Sequence, residues 1–377
     1  MPKNIVICCD GTANEFAEAN TNVVKLYYAL EQDRAKQVTF YHPGIGTMEP
    51  AGALTNFSRK LTKVAGMAVG YALAGDIRDA YVFLMQNYEE GDSVYLFGFS
   101  RGAFTVRVTA ALLYMYGVIR LGNEPLVPYA IRMLTAIDKA DKMNDAEGKK
   151  RYFALADKFK QTLSWTTGCK PKFVGVWDTV SSVGWVENPL KVPYESSNPD
   201  IEIGRHAVSI DEHRAFFRNH LWRPSANPLT SGPKDLKQVW FPGVHCDVGG
   251  GYPEPESGLS KFALEWMLEE GRLAGLLVND AKQEEVLGRT GGEYAPADPN
   301  ACLHVSLKKW WKIAEFAWKP HYDYSTGKTR QRMNLFRRRT LPPKSMVHES
   351  AYLRNGYAKV IPPDAIRVKT TRAPRPS

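Results

Sequence analysis

Short apolar runs rich in β-branched and aromatic residues alternate along the chain with longer stretches of helical periodicity. "NIVICCD" (4–10), "QVTFYHPG" (37–44), "SVYLFGFS" (93–100), "KFVGVWDTV" (172–180) and "KQVWFPGVH" (237–245) predict strands. "TNVVKLYYALEQ" (21–32) predicts a helix with Thr21 or Asn22 as its N-cap, and "GDIRDAYVFLMQNYEEGD" (75–92) predicts another. "RGAFTVRVTAALLYMYGVI" (101–119) predicts a helix that is apolar nearly all round, and "LSKFALEWMLEEGRLAG" (259–275) one closed by Gly271 or Gly275. The charged residues 121–168 predict a helical insertion. "DEHRAFFRNHLW" (211–222) reads as a helix that sets His213 and His220 on one packed face.

Strands that are apolar along most of their length must be covered on both faces. The expected fold is therefore α/β: a mostly parallel central sheet with helices on both sides. Ligands of such sheets bind at the carboxyl ends of the strands. Here the strands run into polar or glycine-rich segments: CDGT, HPGIGT, GFSRG, WDTVSS and GVHCDVGGG.

With 377 residues, 44% of them hydrophobic, the chain can bury a large core. We expect a catalytic domain over 1–300 and a basic, aromatic-rich extension over 301–377 that packs on it or docks beside it. "VAGMAVGYALAG" (64–75) is too short to span a membrane and reads as packed core or substrate lining. No secretory signal is visible, and five cysteines without a CxxC pair suit a reducing compartment. The expectation is a cytoplasmic protein, with export by a signal-independent machine left open.

The net charge of +9 is concentrated in one place. Residues 305–377 hold 17 Lys and Arg against 4 Asp and Glu, which leaves the remainder slightly acidic. In "LKKWWKIAEFAWKPHYDY" lysines interleave with aromatic rings, and "RQRMNLFRRRT" adds charge. An amphipathic helix packed on the core accounts for the first tract. Docking on an anionic membrane accounts for it too, and nucleic acid is the least expected partner.

The sharpest chemical signal is Gly98-Phe99-Ser100-Arg101-Gly102, a G-x-S-x-G between a strand and a helix. That context places a nucleophilic serine on a strained turn, with the Arg101 N–H and the helix dipole facing a developing oxyanion. A serine nucleophile needs a base, and the base needs an orienting acid, in the chain order Ser, acid, His. Asp178 and His245, each directly after a buried strand, are the preferred acid and base. Asp247 and His348 respect the same order and stand as the alternative, although Asp247 also reads as a ligand of the Gly249–Gly251 amides. No metal constellation and no cofactor are expected. "CCDGT" (8–12) resembles the nucleophile loop of haloacid-dehalogenase phosphatases, but Cys8 stands where the first aspartate would be. It reads instead as the second oxyanion loop, with Gly11 and Thr12 presenting N–H groups and Asp10 bracing the turn.

"CCDGTANE", "TNVVKLYYAL", "GDIRDAYVFLMQNYEEGDSVYLFGFSRGAFTVR", "FVGVWDTVSSVG" and "VWFPGVHCDVGGGYPEPESGLSKFALEWMLEEG" occur in this order over residues 3–275, with a weaker echo at "MVHESAYLR". Together they resemble a bacterial and fungal family of uncharacterised α/β-hydrolases that includes the first class of type VI secretion lipase effectors. The resemblance implies an α/β-hydrolase fold and phospholipase A activity through a Ser-Asp-His triad, which falls on Ser100, Asp178 and His245. It also implies a cognate immunity or secretion partner if the chain is an effector. An esterase of small soluble esters, and a hydrolase-like binding protein without catalysis, are the competing readings.

Overall fold

The computed structural model describes residues 2–11, 19–44, 73–142, 145–166, 168–180, 192–223, 232–307, 311–323, 326 and 328–374. The expected core or lining segment 64–75 falls almost wholly outside them, and Thr12 falls outside them too.

In chain order the first half contains β1 (Asn4–Cys9), α1 (Asn22–Ala29), β2 (Gln37–His42), a helix α2 over residues 73–87, β3 (Ser93–Phe99), α3 (Arg101–Tyr116) and β4 (Val118–Ile119). Then come α4 (Val127–Lys142), α5 (Ala146–Leu163), β5 (Ser164–Thr166), β6 (Pro171–Trp177), β7 (Ile203–Ser209), β8 (Asp235–Phe241), α6 (His245–Gly249), α7 (Ser260–Leu273) and α8 (Asp280–Val286). The C-terminal part adds α9 (Trp311–Ala314), a hairpin of β9 (Lys319–Asp323) and β10 (Lys328–Arg332), β11 (Met346–His348), α10 (Glu349–Leu353) and β12 (Ile366–Val368).

Eight strands form one sheet in the order β12-β11-β8-β7-β6-β3-β1-β2, and every neighbouring pair is parallel. This is an α/β-hydrolase-like architecture, a parallel sheet with helices around it. Alternation of side chains divides the core. Ile5, Ile7, Cys9, Val94, Leu96, Val174 and Val176 face α2, α3, α4 and α5. Val6, Cys8, Tyr95, Phe97, Phe99, Phe173 and Trp177 face α1, α7 and α8. The sheet runs across residue 300, since β11 pairs with β8 and carries β12 outward. No helix among the described residues is long and apolar enough to cross a membrane.

The caps match local chemistry. Thr21 accepts a hydrogen bond from Val24 N to start α1, and α7 ends before Gly275, whose φ is +97°. Two expectations fail, and one strand was not foreseen. A strand, β7, lies in "IGRHAVS", which carries Arg205 and His206 inside it. Arg205 is buried there because Glu270 and Asp235 neutralise it, at 2.5 and 2.6 Å. No helix forms over 211–222, where carboxylates take the backbone N–H groups: Glu212, within the segment, binds Arg214 N, and the distant Glu315 binds Ala215 N. His213 and His220 therefore share no helical face; His213 meets Phe336 O and His220 meets Glu195. Among its described residues the lysine-aromatic tract holds the four-residue α9 followed by a hairpin, in place of one long amphipathic helix.

Val347 on β11 is fully buried in a cluster that joins Val208 and Trp240 of the sheet to Ile210, Ala351 and Tyr357. A buried carboxylate there would lack a partner, so Val347→Asp should lower the unfolding free energy by about 3 kcal/mol or more. Urea denaturation checks this. A loss below about 1 kcal/mol would mean that the C-terminal strands unfold separately from the sheet.

Candidate active site

Because all eight strands are parallel, their carboxyl ends lie along one edge. Phe99 pairs with Trp177, and Ser209 with Phe241, so Ser100, Asp178 and the segment leading to His245 emerge at that edge. Ser100 has φ 57° and ψ −114°, a conformation that L-residues rarely adopt. The turn is held by Ser100 N donating to Trp177 O at 3.1 Å. The two glycines of the motif are steric necessities. A Cβ on Gly98 would sit 2.4 Å from Gly102 O, and one on Gly102 would sit 2.0 Å from Cys9 O. Only without side chains can α3 pack this close to the ends of β1 and β3.

Asp178 is completely buried and its φ is +37°. Its N–H donates to Ala207 O at 2.8 Å, which fixes the turn after β6. His245 opens α6 with 3% exposure, its ring set between Phe99 (4.6 Å) and Phe217 (5.0 Å, edge-on). His245 Nδ1 and Asp178 Oδ2 are 2.6 Å apart. An ionised carboxylate can only accept, so Nδ1 carries the proton and Nε2 keeps the lone pair that a base needs. Burial opposes the charge on Asp178, but Arg339 and His245 outweigh it and hold the carboxyl well below the usual range. Burial is also the largest influence on His245, pushing the imidazole below its ordinary 6.5 against the pull of Asp178. Among the described residues Ser100 Oγ makes no hydrogen bond to His245; catalytic contacts of this kind often tighten only around substrate.

The alternative pair is not brought together. Asp247 Oδ1 binds His304 Nδ1 at 2.6 Å, and Oδ2 accepts from Val244 N and His304 N. Its acceptor positions are thus used outside the Gly249–Gly251 loop, contrary to expectation. His348 is buried at the end of β11, bonded to Ser350 and Thr370 and stacked on Phe241, and burial lowers it to about 3.

The oxyanion expectations divide. Arg101 begins α3. Gly11 N–H, however, donates to Asp10 Oδ1 at 2.6 Å and is turned away from that duty. Asp10 does brace the loop, since its Oδ2 also accepts from Thr21 Oγ (2.6 Å) and Tyr41 OH (3.0 Å).

Several site residues were not foreseen. Glu212 accepts from His245 N at 3.2 Å, binds Arg214 through both oxygens and takes Ser306 Oγ at 2.8 Å. Arg339, in the basic tract, reaches Asp178 with both terminal nitrogens, at 2.5 and 3.1 Å. A strand end followed by Asp211-Glu212 could have flagged Glu212, whereas nothing local separates Arg339 from Arg337 and Arg338.

The model of the family described as "T6SS, Phospholipase effector Tle1-like, catalytic domain" matches residues 3–270. The chain belongs to this family. Within 229 aligned residues it is 35% identical to "Uncharacterized protein YEL023C" of Saccharomyces cerevisiae (strain ATCC 204508 / S288c), over 59% of this chain and 33% of that protein. Similar solved structures include an uncharacterized protein from Pseudomonas aeruginosa, at TM-score 0.42 and 19% identity over 74% of this chain and 46% of that one. Another is the Tle1 effector bound to the VgrG spike of the type 6 secretion system, at TM-score 0.36 and 16% identity over 68% and 52%. The chain spans about a third of the curated relative's length and about half of each of these structures. The Tle1-like match covers β1 to α7, and so Ser100, Asp178 and His245, and stops before Arg339.

The buried histidines of the Tle1-like chain give acid sensitivity with a definite sign. His245 is depressed by burial, and burial also takes His206 and His348 to about 3. The folded state refuses protons that the unfolded chain accepts, so stability is lost as pH falls below the unfolded value near 6.5. Asp178, depressed below 3.8, adds stability present above that value and lost further down. The urea midpoint should therefore fall between about pH 7.5 and about pH 5. An unchanged midpoint would contradict the neutral, buried state of these rings.

Proposed function

We propose that this chain is a serine hydrolase of carboxylic esters, and within that class a phospholipase A-type lipase. The observation that carries the reading is the 2.6 Å bond between His245 Nδ1 and Asp178 Oδ2, at the same sheet edge as the strained Ser100 turn. Ser100 attacks the ester carbonyl while His245 Nε2 takes its proton. Asp178 keeps the imidazole in the required tautomer and stabilises its charged form. Arg101 N–H, at the start of α3, and Thr12 N–H stabilise the tetrahedral oxyanion. His245 returns the proton to the leaving alcohol, and water then releases the fatty acid from the acyl-enzyme.

The lipid substrate is supported by family membership and by the surface next to the site. Ile313, Phe316, Trp318, Leu335 and Phe336 are exposed large hydrophobic side chains, and Phe316 touches Phe336. Exposed Lys312, Arg337 and Arg338 lie in the same two segments. The patch leads to the site through Trp311, which meets Phe217, which in turn meets His245. Apolar side chains rimmed by cations suit an anionic phospholipid surface, so we assign the chain a peripheral membrane contact here. If it acts as an effector, a secretion or immunity partner belongs to the same reading.

Fatty-acid release from mixed phosphatidylglycerol and phosphatidylethanolamine vesicles tests this. The wild type should release fatty acid, and Ser100→Ala should lose about 10³-fold or more of the rate. Cleavage of short soluble esters with none on vesicles would keep the triad and exclude the lipid. Absence of both would favour the binding-protein reading.

A further inference from the structure

The charged groups around His245 come from four segments. Asp178 follows β6, Glu212 and Arg214 lie in the loop after β7, Asp247 shares α6, and Arg339 reaches in from the C-terminal extension. Asp247 is engaged with His304. The others form two opposed pairs: Glu212 with Arg214 at 2.9 Å, and Asp178 with Arg339 at 2.5 Å. Arg339 is nearly buried, with a side-chain exposure of 5%. Besides Asp178 it donates to Ser209 O (3.2 Å), Ser209 Oγ (2.7 Å) and Phe217 O. One planar guanidinium thus ties together the ends of β6 and β7 and the loop whose Phe217 packs on the His245 ring.

We propose that Arg339 is a positioning residue of the active site, fixing the Asp178 carboxylate by a two-pronged contact and restraining the basicity of His245. The proposal rests on the reading of Asp178 and His245 as triad members. Its physical basis is charge balance. An aspartate held only by neutral donors would present a full negative charge to the imidazole and raise its proton affinity. Here a cation on the same carboxylate cancels much of that field, and Glu212 is cancelled likewise by Arg214. Burial is left as the largest influence on the ring, and it holds the imidazole below its ordinary 6.5. The fork matters separately. Two parallel N–H donors fix the plane of a carboxylate, where an ammonium supplies only a point charge. Oδ2 is then aimed at His245 while Oδ1 is occupied by Ser209 N and Arg339. This function of the chain lies beyond residue 270, where the family match ends.

Two substitutions separate charge from geometry. Arg339→Gln removes the cation; Arg339→Lys keeps it and removes the fork. The first readout is the titration midpoint of His245 in histidine-labelled full-length protein, followed by NMR and assigned with His245→Asn. It needs no substrate, so it stands even if the esterase reading fails. Arg339→Gln should raise the midpoint by about one pH unit or more, and Arg339→Lys should leave it near the wild-type value. The second readout is kcat and KM on a short-chain p-nitrophenyl ester. Both variants should lose about 10- to 100-fold in kcat with little change in KM, and in Arg339→Gln the acid limb of kcat/KM should move up with the midpoint. Lys344→Gln, at an exposed position further along the same extension, should change neither. A midpoint that stays put in Arg339→Gln, or that moves equally in Arg339→Lys, overturns the electrostatic part. Should Arg339→Gln not fold, Arg339→Lys alone decides: an unchanged kcat, or a shifted midpoint, overturns the proposal.

Discussion

A carboxylate with no exposure to water must be met on every side by donors, and the surroundings of Asp178 are arranged around that demand. A buried charge of this kind costs several kcal/mol unless partners stabilise it. Ser209 N, His245 Nδ1 and the Arg339 guanidinium supply the donors, each from a different segment. The parallel sheet makes the meeting possible. The ends of β6, β7 and β8 are brought side by side by the register that pairs Trp177 with Ala207 and Ser209 with Phe241. The C-terminal extension comes to the same point because β11 pairs with β8. Packing across the sheet, the course of the extension and the chemistry of the edge are therefore consequences of one arrangement.

How far this was legible in the sequence depended on whether the deciding contacts were local. β1, β3 and β6 announce themselves as near-continuous apolar runs and β8 by its apolar end, and the G-x-S-x-G turn carries its reason in two glycines that would collide with backbone if they bore side chains. Asp178 and His245 were found because each lies just past the end of such a strand. β7 escaped because its interior holds Arg205 and His206. These are polar letters in a one-dimensional pattern, yet Glu270 and Asp235 neutralise the first, and the second accepts a hydrogen bond from Thr179 N. β11 and β12, three residues each, are too short for any periodicity to mark them.

The misread segments share a cause. Over 211–222 the helical pattern was overruled by two carboxylates, Glu212 within the segment and Glu315 a hundred residues on. Glu315 alone takes Ala215 N, Asn334 Nδ2 and Phe336 N, and so locks the loop to the extension. Glu315 is itself fully buried. The basic tract likewise looked like undifferentiated surface charge. Within it Arg338 is half exposed, whereas the next residue is buried against the candidate catalytic acid. No local signal could part them, because the difference is made by contacts to Asp178, Ser209 and Phe217, all more than a hundred residues away in sequence.

The central claim is that the Ser100 hydroxyl is made nucleophilic by the His245–Asp178 pair. The most direct test is covalent. The full-length protein is treated with an alkyl fluorophosphonate, which phosphonylates only an activated serine, and the site is located by peptide mass spectrometry. The account predicts one adduct, on Ser100, that is lost in His245→Asn and strongly slowed in Asp178→Asn. An unlabelled wild-type protein, an adduct on another residue, or labelling of Ser100 at the same rate without His245 would contradict it.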